Sequence, residues 1–152
     1  MTAITTQDLQ RLQQWDTPTI CNGLEVIDPD RRNGGFTIDP FVCLNADLAP
    51  VIGYARTATI RAQQPSSHPH HQALRLDYYH YIASGPSPSI VVIEDLDEQA
   101  GVGAFWGEVN TSIHLGLGVG ACITNGSMRD LPDAAPGFQL LAGSVGPSHA
   151  HV

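Results

Sequence analysis

Glu108, Arg129 and Asp130 are the residues whose types and spacing can do chemistry together: an acid, twenty intervening residues, then a guanidinium and a second acid. They lie in the stretch GAFWGEVNTSIHLGLGVGACITNGSMRD, which begins at Gly103 and follows the apolar run Ser89 to Ile93. A strand, turn, helix and strand reading puts both carboxylates and the guanidinium at the ends of neighbouring parallel strands, where open α/β sheets bind ligands. Aspartate is a hard oxygen ligand, and Mg²⁺ commonly takes one or two carboxylates and keeps several waters. The competing account of these residues is a surface salt bridge at a turn, which contributes little to stability.

All seven basic residues are arginine and lysine is absent. Schiff-base catalysis and the Walker phosphate loop both need a lysine amine, so composition excludes them. An enzyme of this composition that breaks a carbon-carbon bond beside a ketone needs another way to hold the electrons, and a divalent ion supplies one.

Other motifs are weaker. The glycines from Gly101 to Gly107 imitate a dinucleotide fingerprint with spacing one residue too long. Backbone N–H groups at the start of a helix near Gly107 suit a substrate carboxylate better. Gly116, Gly118 and Gly120 fall between helix and strand and read as a C-cap and packing turn. His68, His70 and His71 sit in a polar stretch with no carboxylate partner nearby in sequence, which favours a solvated loop over a metal site. His80 and His114 read as packing or surface residues on helices.

A chain of 152 residues is long enough to bury a core as one domain, residues 1–152. Its net charge of −8, with only Arg31 and Arg32 adjacent, argues against a nucleic-acid interface and leaves a basic protein partner or a cation open. The N-terminal stretch lacks a basic region leading into an apolar one, and no run reaches membrane-spanning length, so a cytoplasmic protein is expected. Cys21, Cys43 and Cys122 have no C-x-x-C spacing and read as small core residues.

The elements that must position the chemistry are legible in outline. Thr5 to Asp8 opens a helix to about Trp15, with Leu9, Leu12 and Trp15 as its apolar face. A second helix starts at Asp16-Thr17-Pro18, with Thr17 as cap, and ends near Ile27; Asp28 to Gly35 is a loop. Val51 to Ala62 alternates as a strand, and His71 to Ala83 is helical. Ser89 to Glu94 is a strand, about Gly107 to Leu117 a helix, and Gly120 to Thr124 a strand. Asn125-Gly126 then turns the chain, and a short strand covers about Phe138 to Leu141. Strands alternating with helices predict a layered α/β domain.

At Glu108 and Arg129-Asp130 the sequence resembles the RraA-like family, which includes the regulator of ribonuclease E activity and 4-hydroxy-4-methyl-2-oxoglutarate aldolases. The aldolase pattern is Gly, three residues, an acid, twenty residues, then Arg-Asp; its first glycine falls on Ala104, beside Gly103. Similarity extends through Asp16 to Thr19, Gly53 to Ala58, Ile90 to Asp95 and Asn125 to Met128, nearly the whole chain. The resemblance implies an α/β/α swivelling-type domain, a homotrimer or homohexamer with sites between subunits, and a metal-dependent pyruvate aldolase often able to decarboxylate oxaloacetate. Family members continue into strands with a Pro-Gly-Asp turn that supply a further acid to the adjacent subunit. This chain, reading to Ser148-His149-Ala150-His151-Val152, is expected to lack those strands.

The roles that follow are that Asp130 binds Mg²⁺ or Mn²⁺, and Glu108 joins as ligand or orients its water. Arg129 stabilises the charge on the ketone of a small 2-keto acid substrate. Gly107, Glu108 and Val109 contact that substrate. The alternative is a non-catalytic protein that binds a ribonuclease or another protein through its acidic surface.

Overall fold

The run Ser89–Asp95 becomes strand β3, with Ser89, Val91, Ile93 and Asp95 buried and Ile90, Val92 and Glu94 on the less covered face. Period-two alternation of this kind belongs to a strand packed more tightly on one side. In this computed structural model, which describes residues 4–152, β3 pairs in parallel with β2 (Tyr54–Ile60) and β4 (Val119–Met128). Residues 1–3, part of the N-terminal stretch read for a targeting segment, lie outside the described residues. Strand β5 (Gln139–Val145) joins β4 in parallel, and β1 (Val42–Cys43) pairs antiparallel with β5, giving the order β1-β5-β4-β3-β2. Parallel neighbours need crossover connections. Helix α3 (His71–Ala83) connects β2 to β3, and α4 (Glu108–Gly116) connects β3 to β4. The layered α/β class is therefore as expected.

The core lies between the sheet and these two crossovers, where Ile82, Phe105, Trp106 and Phe138 pack with Val91, Ile93, Cys122, Met128 and Leu140. Trp106 and Phe138 stack with centroids 5.7 Å apart, and Phe105 meets Trp106 edge-on. The N-terminal helices α1 (Thr6–Leu12) and α2 (Thr17–Ile27) contribute little to it. Residues Asp16 to Pro18 and Leu48 to Val51 instead enclose a cavity against Ile90, Ile123 and Leu141 on the other sheet face.

Helix α1 has the expected reciprocal cap: Thr5 Oγ1 accepts from Asp8 N–H at 3.2 Å, and Asp8 accepts from Thr5 N–H at 3.0 Å. Helix α2 is capped by Asp16 rather than Thr17. Thr17 is already helical, so the extended residue before it is the one whose carboxylate receives Thr19 N–H, at 3.0 Å. Of the expected α1 face only Leu9 is buried; Leu12 and Trp15 are exposed because no second layer covers them among the described residues.

Five further features differ from the sequence reading or were absent from it. The stretch Asp28 to Gly35 contains a 3₁₀ turn, Pro29–Asn33, and Val42–Cys43 is a strand. Strand β5 runs on to Val145. Of the three cysteines only Cys122 is buried; Cys21 and Cys43 lie on peripheral elements and are exposed. Asn125-Gly126 is not a turn, because β4 continues through it to Met128 with a register shift between Thr124 and Ser127. Asn125 makes this possible: its side-chain amide accepts from Asp95 N–H at 2.7 Å and donates to Asp95 C=O at 3.0 Å. The amide thus takes the place of a ladder partner at the irregularity.

The glycine-rich segment after α4 behaves as expected. Leu117 is the C-cap and Gly118 follows in the left-handed region at φ +83°, the conformation that favours glycine there. Among the described residues no helix is long and apolar enough to cross a membrane.

Candidate functional site

Because β4 continues to Met128, Arg129 and Asp130 leave the sheet directly from its C-terminal end. Met128 pairs in parallel with Trp106, and Arg129 N–H donates to Trp106 C=O at 2.8 Å. The residue after Trp106 is therefore laid against Asp130. A Cβ on Gly107 would fall 2.5 Å from Asp130 Oδ2 and 3.2 Å from Arg129 Cγ. Gly107 has an ordinary extended φ of −166°, so its requirement is for space rather than for unusual backbone. Asp130 adopts φ 53° and ψ 41°, a left-handed conformation that Asp and Asn tolerate better than most residues.

Arg129 is held from two sides. Its Nε donates to Ala104 C=O at 3.3 Å, and its Nη1 contacts Asp130 Oδ2. The Arg129 and Asp130 side chains are 24% and 34% exposed, so the pair is screened but open to a ligand. Sequence positions Gly107, Arg129 and Asp130 thus come together. Glu108 begins α4 and is exposed, and among the described residues its carboxylate makes no ion pair or hydrogen bond with Arg129 or Asp130. Val109 follows it, also exposed. No side chain caps the N-terminus of α4, which leaves its first-turn N–H groups without that partner.

Thr111 fixes α4 relative to Asp130. Its hydroxyl donates within the helix, with Gly107 C=O at 2.9 Å, and accepts from Ala135 N–H at 2.9 Å. Ala135 lies just beyond the 3₁₀ turn Leu131–Asp133 that follows Asp130. That turn reveals a candidate not singled out from sequence. The turn is closed by Asp133 N–H donating to Asp130 C=O at 3.0 Å, and it leaves the Asp133 side chain exposed. Two acids three apart, with a proline between them, were the available signal.

Behind the site, fully buried His114 joins α4 to α3. Its Nδ1 lies 2.6 Å from Asn110 C=O, which can only accept, so Nδ1 carries the proton and Nε2 accepts from Tyr78 O–H at 2.7 Å. Burial is the main cause that lowers the His114 pKa to about 4, and burial pushes the Tyr78 hydroxyl up. His114 is thus a packing residue, as expected. His68, His70, His71 and His80 are exposed, and His70 N–H donates to His68 Nδ1 at 3.2 Å within its loop.

The loop leading from β3 to the site is organised by acids. Asp95 accepts from Asp97 N–H at 3.0 Å and Gly101 N–H at 2.8 Å. Asp97 accepts from Ala62 N–H at 2.6 Å and Gln63 N–H at 2.7 Å. Desolvation opposes ionisation of Asp97, but these hydrogen bonds and Arg61 outweigh it and hold the carboxyl below its usual 3.8.

Among the described residues no group of three His, Cys, Asp or Glu side chains could cage a metal ion. The donors around Asp130 fit only a water-rich ion taking one or two carboxylates, which is the habit of Mg²⁺. Asp130 Oδ2 is engaged by Arg129 and packed on Gly107, so Oδ1 is the oxygen such an ion would take.

No protein-family model matches the chain, and no curated protein matches it in sequence. Solved structures match it in shape. One, described among novel cellulases from microbes associated with the gut ecosystem, is 14% identical, with TM-score 0.73 over 99% of this chain and 64% of its own. Streptomyces coelicolor RraAS2, described as an unusual member of the RNase ES inhibitor RraA protein family, is 18% identical, with TM-score 0.68 over 97% of this chain and 68% of its own. An uncharacterized protein from Pseudomonas syringae pv. tomato str. DC3000 is 18% identical, with TM-score 0.62 over 99% of this chain and 62% of its own. The chain therefore spans under two-thirds of two of these structures. At such identities the agreement speaks for the fold alone, and that fold is the RraA-like α/β fold.

Proposed function

We propose that the protein is a divalent-metal-dependent carbon-carbon lyase that cleaves a 4-hydroxy-2-keto acid to pyruvate, with oxaloacetate decarboxylation as a related reaction. The observation that carries this reading is the meeting of Arg129, Asp130 and side-chain-free Gly107 where β4 ends. Asp130 would hold Mg²⁺ or Mn²⁺ with water filling most of the shell, and Glu108 at the head of α4 would be a second carboxylate or orient that water. The chemistry supplied by such an ion is polarisation of the keto acid's oxygens.

Arg129, oriented by Ala104 C=O and by Asp130, is placed to stabilise charge developing on the ketone oxygen as the bond between C3 and C4 breaks. The N–H groups of Gly107, Glu108 and Val109 are the donors for the substrate carboxylate. The missing lysine supports an enolate over an imine route.

A panel of 2-keto acids, including 4-hydroxy-4-methyl-2-oxoglutarate and oxaloacetate, with lactate-dehydrogenase detection of pyruvate tests this reading. Pyruvate release should stop with EDTA and return with Mg²⁺, and Arg129→Ala should lower kcat about 10²–10³-fold. Release that ignores the chelator would overturn the metal's role.

A second reading, a protein-binding role, is favoured by exposed Val26 and Ile27 on α2 and by Phe36 and Ile38 beyond it. RraAS2 is described within an RNase inhibitor family, and a ribonuclease is the corresponding partner here. Specific recovery of a ribonuclease by a chain inactive on every keto acid would favour this reading over the lyase.

A further inference from the structure

A cleft of ≈ 220 Å³ lies between α3 and the C-terminal ends of β2 and β3, away from Asp130. From α3 it takes His71, Leu74, Arg75 and Tyr78, which fall at i, i+3, i+4 and i+7 and so share one helix face. Its floor is apolar, formed by Ala58, Ile60 and Ile93 with the rings of Phe105 and Tyr78. The Tyr78 hydroxyl is turned to His114 and already paired, so the ring is what the tyrosine offers the cleft.

The charge of the rim runs against that of the molecule. A chain of net charge −8 places Arg61 and Arg75, with the imidazoles of His71 and His151, around this cleft, and Val152 but no Asp or Glu side chain lines it beside them. Arg61 is partly engaged, with Leu96 C=O and with Asp97 at 3.8 Å. Among the described residues the side chains of Arg75, His71 and His151 make no ion pair or hydrogen bond to another side chain. His151 is brought to the rim by the C-terminal segment, whose backbone N–H donates to Ala62 C=O at 3.1 Å.

We infer that this cleft binds a small carboxylate with a hydrocarbon body, its ring or short chain on the apolar floor and its carboxylate at Arg75. Size decides the class. A dry cavity of about 150 Å³ accommodates benzene, whereas sites for drug-sized ligands and cofactors run to roughly 300–1,000 Å³. A single-ring or short-chain acid matches the volume, and a nucleotide does not. Arginine is the residue suited to a carboxylate, which it can grip through two N–H groups.

Isothermal titration with benzoate, benzamide and inorganic phosphate separates the contributions. Benzoate should bind saturably, one per chain. Benzamide lacks the charge and phosphate lacks the apolar body, so each should bind at least about tenfold more weakly. Arg75→Ala, at an exposed position, should weaken benzoate about tenfold while leaving the far-ultraviolet circular dichroism unchanged. Asp130→Asn should leave benzoate affinity as it was. No saturable binding of benzoate or hexanoate at about 10 mM would overturn the inference. So would phosphate binding equal to benzoate, an unaltered Arg75→Ala variant, or loss of binding in Asp130→Asn.

Discussion

Gly107 and Asp130 show how closely two residues far apart in sequence constrain each other. The carboxylate occupies the volume that any side chain at position 107 would need. Gly107→Ala must displace Asp130 or bend the start of α4, so pyruvate formation should fall at least about tenfold. The Mg²⁺ concentration for half-maximal activity should rise as well. A titration of rate against Mg²⁺ checks this, and an unchanged half-saturation point would detach Gly107 from the ion's surroundings. Asp130→Asn is the complementary probe because asparagine also accepts the left-handed backbone, leaving charge as the main thing removed.

At the scale of the element, α4 is held at both ends by buried polar groups. Thr111→Val removes the acceptor for Ala135 N–H, and a buried donor left unmade costs about 1–3 kcal/mol. Urea denaturation should show a loss of that size with an unchanged slope. His114 makes stability depend on pH. Its folded pKa of about 4 lies below the ordinary 6.5, so the unfolded chain takes up a proton that the folded chain refuses. Stability is full above pH 6.5 and falls as pH drops from 6.5 towards 4, by roughly 3 kcal/mol from this group. His114→Gln should flatten that window. Asp97 acts lower: its depressed pKa gives stability that is present above about 3.8 and is lost as pH falls through the folded value. The two windows can be separated in one series of denaturation curves.

For the whole molecule, the unexplained feature is the apolar surface on its N-terminal third. Ile27, Phe36 and Ile38 are 83%, 73% and 93% exposed. A surface of this kind is a place for association. The expectation of a homotrimer or homohexamer is tested by light scattering, which should give a multiple of 16.3 kDa. Ile27→Asp combined with Ile38→Asp should shift the mass towards one chain. A single-chain mass in the unaltered protein would remove self-association as the use of this surface.

Much of the fold was legible because its elements follow local rules. The Thr5 capping box, the span of α3, the start of β3 and the Gly118 turn each depend on neighbours within a few residues. Spacing alone set Arg129, Asp130 and Glu108 together at one sheet end, but Glu108 stands exposed at the head of α4 without an ion pair or hydrogen bond to the pair among the described residues, and it is Gly107 that lies against Asp130. The continuation of β4 was hidden, because Asn125-Gly126 has turn chemistry locally and is overridden by an amide pairing with Asp95, thirty residues away. The extra length of β5 and the brief β1 likewise depend on neighbouring strands. Composition determined that no lysine chemistry is available and that the chain is acidic. Only the tertiary structure decided which acids stand together and where arginine and histidine gather against that charge, because packing of distant segments sets both.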